Sequence, residues 1–391
     1  MTDFTTIVSG AGPAGLAAAI LLAQDGVKTA VIAPASTQAD PRTVALMQPS
    51  IRLLKFAKLW TPEIECVSAP LQTLQIMDDT GHYVTAPTVS FSSDEVKLDC
   101  FGYNVPLTQL IPAMRQRALD LGIPIIDTKS ETSELFSDHI LVKTLDGQSL
   151  TARVLIAADG AASPLRVACG IGVSSWSYDQ SALITVFSHT GPHNNTSTEY
   201  HKTAGAFTTV PMPGNRSSLV WMDRPEKCKA LFGLSDQELA TEIQIETHGR
   251  LGRISDLGVR KVFAMKGERA NIFAKGRTLL IGEAAHTVPP IGAQGLNMSL
   301  RDAAQAADLI LGADDPGSDG VMQDYNDMRK VDVVPRQQMI SLVNMSLLSE
   351  YASFGLLRAA GLAAVAKIPP LRDLAMAQGL APSSNLPFAM R

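Results

Sequence analysis

Residues 4–33 read FTTIVSGAGPAGLAAAILLAQDGVKTAVIA, and this stretch decides the fold. A short apolar run leads into the turn GAGPAG at residues 10–15, a helical run follows and stops at Gly26, and a second apolar run starts at Val27. Strand, glycine turn, helix and strand within about thirty residues are the pattern of a Rossmann unit that binds a dinucleotide. The stretch therefore predicts a βαβ unit that belongs to a parallel sheet.

Each glycine of the turn has a distinct structural role. Gly10 makes the tight turn, Gly12 lets the backbone meet a pyrophosphate, and Gly15 lets the helix pack on the strand. The start of the helix, with Pro13 and Ala14, then stabilises the phosphate charge through its free N–H groups. These five residues are the first predicted cofactor-binding residues.

One residue that the motif leads us to expect is missing. An acidic side chain about 20 positions further on holds the ribose in many such units, whereas here the second strand runs into Ala33, Pro34 and Ala35. The next candidate is Arg42, in the stretch ADPRTVALMQPSIRLLKFAKLW (39–60), which the spacing of its apolar residues predicts to be helical. Spacing alone favours a solvated surface arginine at this position.

A second informative stretch, LLIGEAAHTVPPIGAQGLNMSLRD, covers residues 279–302. It predicts a strand, a Pro/Gly loop and a helix that starts near Leu296. The loop glycines carry no Cβ and let a flat ring come close to the backbone, while the helix start offers unpaired N–H groups. A flavin, whose ring edge becomes anionic on reduction, fits such a loop; an ordinary strand–turn–helix joint is the alternative. His286 in this stretch is better explained by a structural hydrogen bond than by acid–base catalysis.

Composition excludes several classes of protein. With 391 residues and 46% hydrophobic content, the chain buries a large core and is expected to hold two domains. A net charge of -5 and a pI near 5.8 argue against a nucleic-acid binder. The four cysteines lack CxxC spacing, and His189, His193 and His201 lack a matching carboxylate or thiol pattern, so neither a disulfide framework nor a metal site is predicted. A G-x-S-x-G nucleophile elbow is also missing.

The rest of the chain predicts an α/β fold. Its Rossmann-like FAD-binding domain is built from discontinuous segments, an inserted, mostly antiparallel β-sheet forms the substrate domain, and a helical tail follows. Alternating patterns at 71–96 and 182–222 supply the inserted strands. The expected boundaries are 1–70, 98–172 and 262–330 for the FAD-binding domain, 71–97 and 173–261 for the substrate domain, and 331–391 for the helical tail.

The two ends of the chain bear on its location. The first residues run directly into a strand without a charged and apolar leader, so we expect no conventional signal peptide and a cytoplasmic protein, with peripheral membrane attachment as an alternative. Residues 351–368 are apolar but carry Arg358 and Lys367, and a spanning helix needs about 20 apolar residues. A packed or surface-lying helix is therefore expected. The tail at 338–380 either docks on a membrane or partner complex or caps the FAD domain.

Three islands carry a family resemblance: GAGPAG at 10–15, ADGAASPLR at 158–166 and GEAAH…PPIGAQGLN at 282–297. Together and in this order, they resemble the three fingerprints of the class A FAD-dependent aromatic hydroxylases. The stretches DPRTVAL at 40–46 and FGYNVP at 101–106 and the helical tail after Tyr325 resemble the ubiquinone-biosynthesis hydroxylases in particular.

The resemblance implies roles for individual residues. The first island would hold the FAD pyrophosphate, Arg42 would lie against the FAD phosphate and ribityl region, and Asp159 and Gly160 would serve FAD and the pyridine nucleotide. Glu283 would contact the ribityl hydroxyls or the pyrophosphate. The residues that would lie along the isoalloxazine are Pro290, Gly292, Gln294, Gly295, Leu296 and Asn297.

The chain departs from the family pattern at two of these places. Position 283 is usually Asp in the family, and here it is Glu, one methylene longer. Many relatives have a polar residue that reaches FAD where this chain has Leu107, and Gln109 is the nearest substitute. With the missing ribose acid, these changes predict either weakened FAD affinity or a chain that kept the fold and lost catalysis.

The implied reaction is a monooxygenation that uses FAD and O2. NAD(P)H, or a protein donor, would reduce the flavin, and a flavin C4a-hydroperoxide would hydroxylate the ring of a polyprenyl phenol in ubiquinone biosynthesis. The sequence nominates no catalytic acid or base. One alternative is a hydroxylase of a small aromatic acid, with Lys202 or Arg216 as the cation that binds it. Another is a catalytically weak FAD-fold protein that binds lipid or serves as a scaffold in a quinone-biosynthesis complex.

Overall fold

The computed structural model describes residues 2–35, 40–81, 85–348, 360–365, 367–376 and 386–391. The strands are β1 (Phe4–Ser9), β2 (Thr29–Ile32), β3 (Thr43–Met47), β4 (Ala69–Leu71), β5 (Thr73–Asp78), β6 (Val89–Ser92), β7 (Gly102–Pro106), β8 (Ile125–Ile126), β9 (Ser130–Leu135), β10 (Ile140–Thr144), β11 (Ser149–Ala157), β12 (Val173–His189), β13 (Thr196–Lys202), β14 (Gly205–Met212), β15 (Arg216–Asp223), β16 (Ile254–Ser255), β17 (Lys261–Ala270), β18 (Ala274–Lys275), β19 (Thr278–Leu280) and β20 (His286–Thr287). The helices are α1 (Pro13–Gln24), α2 (Gln48–Phe56), α3 (Pro62–Cys66), α4 (Leu107–Asp120), α5 (Pro164–Ala168), α6 (Pro225–Gly233), α7 (Asp236–Glu246), α8 (Gln294–Leu311), α9 (Asp319–Leu348) and α10 (Pro369–Ala375).

The first sheet has eight strands and confirms the predicted α/β fold. Its order is β18-β19-β11-β1-β2-β8, and β9 and β10 extend it from β11. Strand β1 lies parallel to both β2 and β11, and β11 lies parallel to β19. Ile7 and Val8 of β1 are fully buried, as expected where helices cover both faces of a parallel sheet.

Helix α1 follows β1 because the sequence switches from a strand period to a continuous run of alanine and leucine. Gly12 precedes the helix and Pro13 occupies its first turn, where a missing N–H costs nothing. A Cβ on Gly15 would lie 2.1 Å from the Gly10 carbonyl oxygen, so only glycine lets α1 pack this closely. The start of α1 is thereby held at the carboxyl end of β1.

The second sheet has nine strands in the order β20-β17-β12-β15-β14-β13-β5-β6, with β16 beside β12. Its described strand pairs are antiparallel except β13 with β5. One face carries an apolar group that we call the inner cluster: Ala182, Ala206, Met222 and Met265 of the sheet, with Ile291 and Ile340. Strand β17 belongs to this sheet, whereas the predicted boundaries put residues 262–270 with the FAD-binding domain.

The structure differs from the prediction for residues 39–60. Thr43–Met47 is a strand that pairs with β7, and the helix begins only at Gln48. Pro49 explains the difference, because proline is tolerated in the first turn of a helix and not in its interior. Residues 71–96 also divide: β4 joins β3 and β7 in a three-stranded sheet, while β5 and β6 join the nine-stranded sheet.

Helix α9 and the segments after it connect the two sheets. α9 packs on α8 and on strands of both sheets. Arg372 of α10 forms an ion pair with Glu95 beyond the end of β6, at 2.6 Å. Residues 386–391 return to the first sheet's side, where Arg52 Nε donates to the Met390 carbonyl oxygen at 2.7 Å. Part of the helix predicted at 351–368 lies outside the described residues, and no described helix is both long and apolar enough to cross a membrane.

Candidate functional site

The three sequence islands meet at the carboxyl ends of β1, β11 and β19. Gly10 has a φ of 115°, and a Cβ there would lie 2.1 Å from the Ala158 carbonyl oxygen. A Cβ on Gly282 would lie 3.4 Å from the Cβ of Ala14. The first island therefore touches both of the others, although the three are far apart in the chain.

Arg166 fastens the second island to the third. Its guanidinium is buried and donates from Nη1 to the Ala284 carbonyl oxygen at 2.9 Å and from Nη2 to the Ala161 carbonyl oxygen at 2.8 Å. Sequence reasoning did not assign this role. The sequence does contain a signal for this role: Arg166 is a cation in a turn-and-helix stretch whose other residues have the pattern of a buried segment.

The pyrophosphate end of the site fits FAD. A Cβ on Gly12 or on Gly160 would meet no atom within 4 Å, so the backbone at both residues is open to a ligand. No side chain caps the start of α1. Asp159 lies beside this opening; its Oδ2 accepts from the Leu165 N–H at 3.3 Å, while its buried Oδ1 has no hydrogen-bond partner among the described residues. Burial raises the pKa of Asp159, and a ligand hydroxyl would satisfy the orphaned oxygen.

At the adenosine end, a carboxylate comes from a neighbouring strand. Asp127, directly after β8, accepts a hydrogen bond from the Ala35 N–H at 2.6 Å. It thus lies at the end of β2, where the motif leads us to expect an acid. Arg115 donates from Nη2 to the Pro34 carbonyl oxygen at 3.3 Å at the same place. Sequence spacing could not reveal Asp127, because it acts 92 residues from its partner.

Arg42 and Glu283 lie on one side of the site. The Arg42 guanidinium pairs with Asp40, with Nη2 2.6 Å from Oδ2. The hydrogen bond that Arg42 donates to Asp40 raises the pKa of Arg42, and the negative charge of Glu283 raises it further. Glu283 is exposed in the short 3-10 turn Gly282–Ala284.

The residues at the start of α4 lie next to Arg42. The Leu107 N–H donates to the Arg42 carbonyl oxygen at 3.0 Å. The Leu107 side chain itself is buried in the core of the first sheet, so it does not point into the site. Gln109 is exposed in the same first turn, and its contact with FAD stays a prediction.

The predicted ring loop ends in a helix start that is open to a ligand. Helix α8 begins at Gln294, two residues before the predicted start, because Ala293 adopts a left-handed conformation with a φ of 56° and ends the loop there. No side chain caps the helix. A Cβ on Gly295 would meet only the Val288 side chain, at 3.8 Å. The N–H groups of this first turn, which includes Leu296, therefore face an accessible surface.

The side chain of Asn297 forms hydrogen bonds with the protein itself. Its Oδ1 accepts from the Met47 N–H at 2.9 Å and the Ser50 hydroxyl at 2.7 Å, and its Nδ2 donates to the Ala45 carbonyl oxygen at 2.8 Å. The side chain is thus used to fasten α8 to the β3–α2 joint. Elsewhere in the loop, Gln294 Nε2 donates to the Gly292 carbonyl oxygen at 3.0 Å, and Pro290 is half-buried.

A group of buried charged side chains supports the ring loop. We call it the Asp302 cluster, and it consists of His286, Asp302, Arg329 and Asp332. Asp302 Oδ2 accepts from the Gly282 N–H at 2.9 Å and lies 2.7 Å from His286 Nε2. Its Oδ1 lies 2.6 Å from Arg329 of α9, whose guanidinium also pairs with Asp332 at 3.0 Å. The expected structural hydrogen bond of His286 is therefore present, and the loop is tied to α9.

Apolar side chains enclose the ring loop on two sides. Val288 and Ile291 pack with the inner cluster, and Ala293 packs with a separate group that includes Met47, Phe91 and Met376. A flat ring bound here would lie over open backbone, with helix N–H groups at hand and apolar side chains on one side. It suits chemistry in which a reduced, anionic ring must be stabilised in a dry site.

Comparison with known proteins agrees with this geometry. Residues 3–334 match the FAD binding domain family. The chain is 28% identical to the ubiquinone hydroxylase UbiL of Rhodospirillum rubrum over 95% of this chain and 88% of that one. It is 31% identical to the 3-demethoxyubiquinol 3-hydroxylase of Escherichia coli over 80% and 81% of the two chains.

The fold is also that of a solved monooxygenase. The p-nitrophenol 4-monooxygenase PnpA of Pseudomonas putida superposes with a TM-score of 0.77 at 18% identity, covering 97% of this chain and 98% of that one. The extent of the family match and the fold agree with one another. The chain belongs to the FAD binding domain family, among the class A FAD-dependent aromatic-ring monooxygenases related to the ubiquinone hydroxylases.

Proposed function

We propose that the protein hydroxylates the aromatic ring of a polyprenyl phenol intermediate in ubiquinone biosynthesis. It uses O2, with NAD(P)H or a protein as the electron donor. The observation that carries the proposal is the inner cluster, which presents an apolar surface of the second sheet to the ring loop. The similarity to ubiquinone hydroxylases supports the same substrate class.

Different segments of the chain contribute to different parts of the reaction. When bound, FAD supplies hydride acceptance and oxygen activation. The backbone at Gly10, Gly12 and Gly160 holds its pyrophosphate end, the first turn of α8 stabilises negative charge at the ring edge, and the inner cluster excludes water. The Asp302 cluster keeps the ring loop in place.

The structure gives less support to a small aromatic acid as substrate. Such a substrate needs an unpaired cation facing the ring loop. Lys202 is engaged by Asp79 and by Glu246, the latter at 2.7 Å. Arg216 is exposed at the start of β15. Neither residue belongs to the inner cluster, so an apolar phenol is the better match.

Two measurements test the proposal. Purified protein loaded with FAD is expected to consume NADH or NADPH only when a prenylated phenol is added, and to yield an oxygenated product. Deleting the gene is expected to lead to accumulation of an under-hydroxylated quinone precursor, identified by its mass. An unchanged quinone pool would count against the pathway, and a colourless protein that cannot be reconstituted with FAD would favour a lipid-binding scaffold.

Substitutions of Glu283 test whether the protein binds FAD as an active enzyme does or has kept the fold and lost catalysis. We expect Glu283→Ala to weaken FAD binding about 10- to 100-fold, because a hydrogen bond to a charged group contributes about 1.5–3 kcal/mol. Glu283→Asp, which restores the usual family residue, is expected to bind FAD at least as well as the parent. Quenching of FAD fluorescence on titration measures both. Parent-like affinity in the alanine variant would show that this carboxylate does not hold the cofactor.

We further propose that the protein is cytoplasmic with peripheral attachment to the membrane or to a quinone-biosynthesis complex through the helical tail. Deleting residues 351–391 is expected to release the protein from vesicles in a flotation assay. Arg372→Ala, which frees α10 from Glu95 and keeps the tail, is the matched control and is expected to stay bound. If the truncated protein is folded and still binds vesicles as the full chain does, the tail is a structural cap.

A further inference from the structure

A cleft of about 360 Å³ lies between α9 and the ribbon formed by β12 and β17, and its lining residues lie outside the candidate FAD site. Trp176 lines one wall, and Leu342 and Met345 of α9 line the other. These two α9 side chains are 64% and 57% exposed, so they form a free apolar surface. Isolated exposed apolar residues are ordinary, but a lined apolar cleft marks a binding surface.

The indole of Trp176 is held in a fixed position in the cleft. A Cβ on Gly267 would lie 2.2 Å from Trp176 Cε2, so only glycine lets the ring lie this close to β17. The indole N–H donates to the Tyr178 hydroxyl at 2.6 Å, which in turn lies 2.8 Å from the Ser341 hydroxyl of α9. The polar edge of the indole is therefore satisfied, and the remaining ring offers hydrocarbon surface.

The cleft lies next to the inner cluster. Tyr178 and Val343 pack against that cluster, and Ile340 belongs to it, one turn of α9 from the cleft. At the inner end of the cleft, Gln337 donates from Nε2 to the Thr287 carbonyl oxygen at 3.2 Å, directly before the ring loop. Its Oε1 is buried without a hydrogen-bond partner in the described structure. The inner end is thus polar, and the outer end is apolar.

We propose that this cleft binds the isoprenoid tail of the substrate while the phenol ring lies at the ring loop. The inference rests on the proposed function. A hydrocarbon tail attached to a hydroxylated ring has the same change of polarity as the cleft, from a polar inner end to an apolar outer end. Arg269 is the charged side chain in the lining, and an arginine packs its aliphatic stem on apolar surface while its head reaches water.

The proposal is tested by binding, without an electron donor. The probes are a phenol with a three-isoprene tail and the same phenol with a methyl group, added to the FAD-loaded protein and followed by tryptophan fluorescence. Leu342→Glu places a charge in the cleft. The matched control is Val331→Glu, on the same helix, 74% exposed and outside the cleft lining. Trp176→Phe shows how much of the signal comes from the cleft.

We expect the parent to bind the long-tailed phenol at least tenfold more tightly than the methyl phenol. Leu342→Glu is expected to remove this preference and leave the methyl phenol unaffected, while Val331→Glu matches the parent. Equal long-tail affinity in both glutamate variants would overturn the proposal, as would tighter binding of a straight-chain C15 alcohol than of the long-tailed phenol. Failure of the proposed function is a separate result, because it shows as the absence of product from either phenol.

Discussion

Gly12→Val is expected to abolish FAD binding while leaving the fold intact. A Cβ at this position meets no protein atom within 4 Å, so the added side chain fits the protein alone. The same space is where the pyrophosphate must come close to the backbone of the first island. We expect the dissociation constant for FAD to rise at least about 100-fold, which corresponds to roughly 2.7 kcal/mol.

The neighbouring glycines provide the comparison. Gly15→Ala puts a Cβ 2.1 Å from the Gly10 carbonyl oxygen, so it should reduce stability itself. Thermal unfolding of the FAD-free proteins separates the two: Gly12→Val should unfold within a few degrees of the parent, and Gly15→Ala well below it. A Gly12→Val protein that is isolated yellow and retains parent-like FAD affinity would place the pyrophosphate elsewhere.

Arg329→Met should cause the largest loss of stability of any substitution considered. The guanidinium is fully buried between Asp302 and Asp332. Methionine would leave the buried Asp302 without its arginine partner, while Asp332 would keep its pairs with Arg301 and Arg336. Removing one partner of a buried ion pair costs about 3–5 kcal/mol. The control is Lys143→Met, whose exposed pair with Glu134 is worth about 0–1 kcal/mol. Urea unfolding measures both, and equal losses would show that the Asp302 cluster contributes no more than a surface ion pair.

The same substitution changes the dependence of stability on pH. Burial raises the pKa of Asp332, but the cations of Arg329, Arg301 and Arg336 outweigh burial and leave the pKa lowered. A lowered pKa contributes stability above the unfolded value of about 3.9, and this contribution is lost as pH falls through the folded value. Without Arg329, the folded pKa of Asp332 should be less lowered, so its contribution to stability should be smaller and should be fully lost at a higher pH. Measuring the free energy of unfolding as a function of acid pH detects this change.

The first βαβ unit could be predicted because everything that determines it is local. The glycine turn, the apolar helix and both strands lie within residues 4–33, and β1, α1 and β2 form where the pattern indicated. The joint at 39–60 was predicted wrongly because apolar spacing alone does not distinguish a strand followed by a helix from one long helix. Pro49 was the local signal that the spacing did not take into account.

The supporting contacts of the site could not be predicted from spacing. Arg166 reaches a carbonyl group 118 residues away, and Asp127 caps a strand 92 residues away. Asp302 meets Arg329 only because α8 and α9 pack together. Such pairs depend on how elements dock, which single-chain patterns do not encode. The hydrogen bonds of Asn297 to β3 and to α2 also join segments that are far apart in the chain.

The position of β19 beside β11 has a consequence for synthesis of the chain. A ribosome that has released residues 1–172 has produced β1, β2 and β11, but neither β19 nor α8, which complete the same sheet and its cofactor site. Until about residue 311 has emerged, the nascent protein exposes the edge of β11 that later pairs with β19. The unpaired edge of a strand that is buried in the native protein is prone to aggregation. Cofactor capture must therefore follow translation of most of the chain, and slow elongation through residues 173–270 would prolong the vulnerable interval.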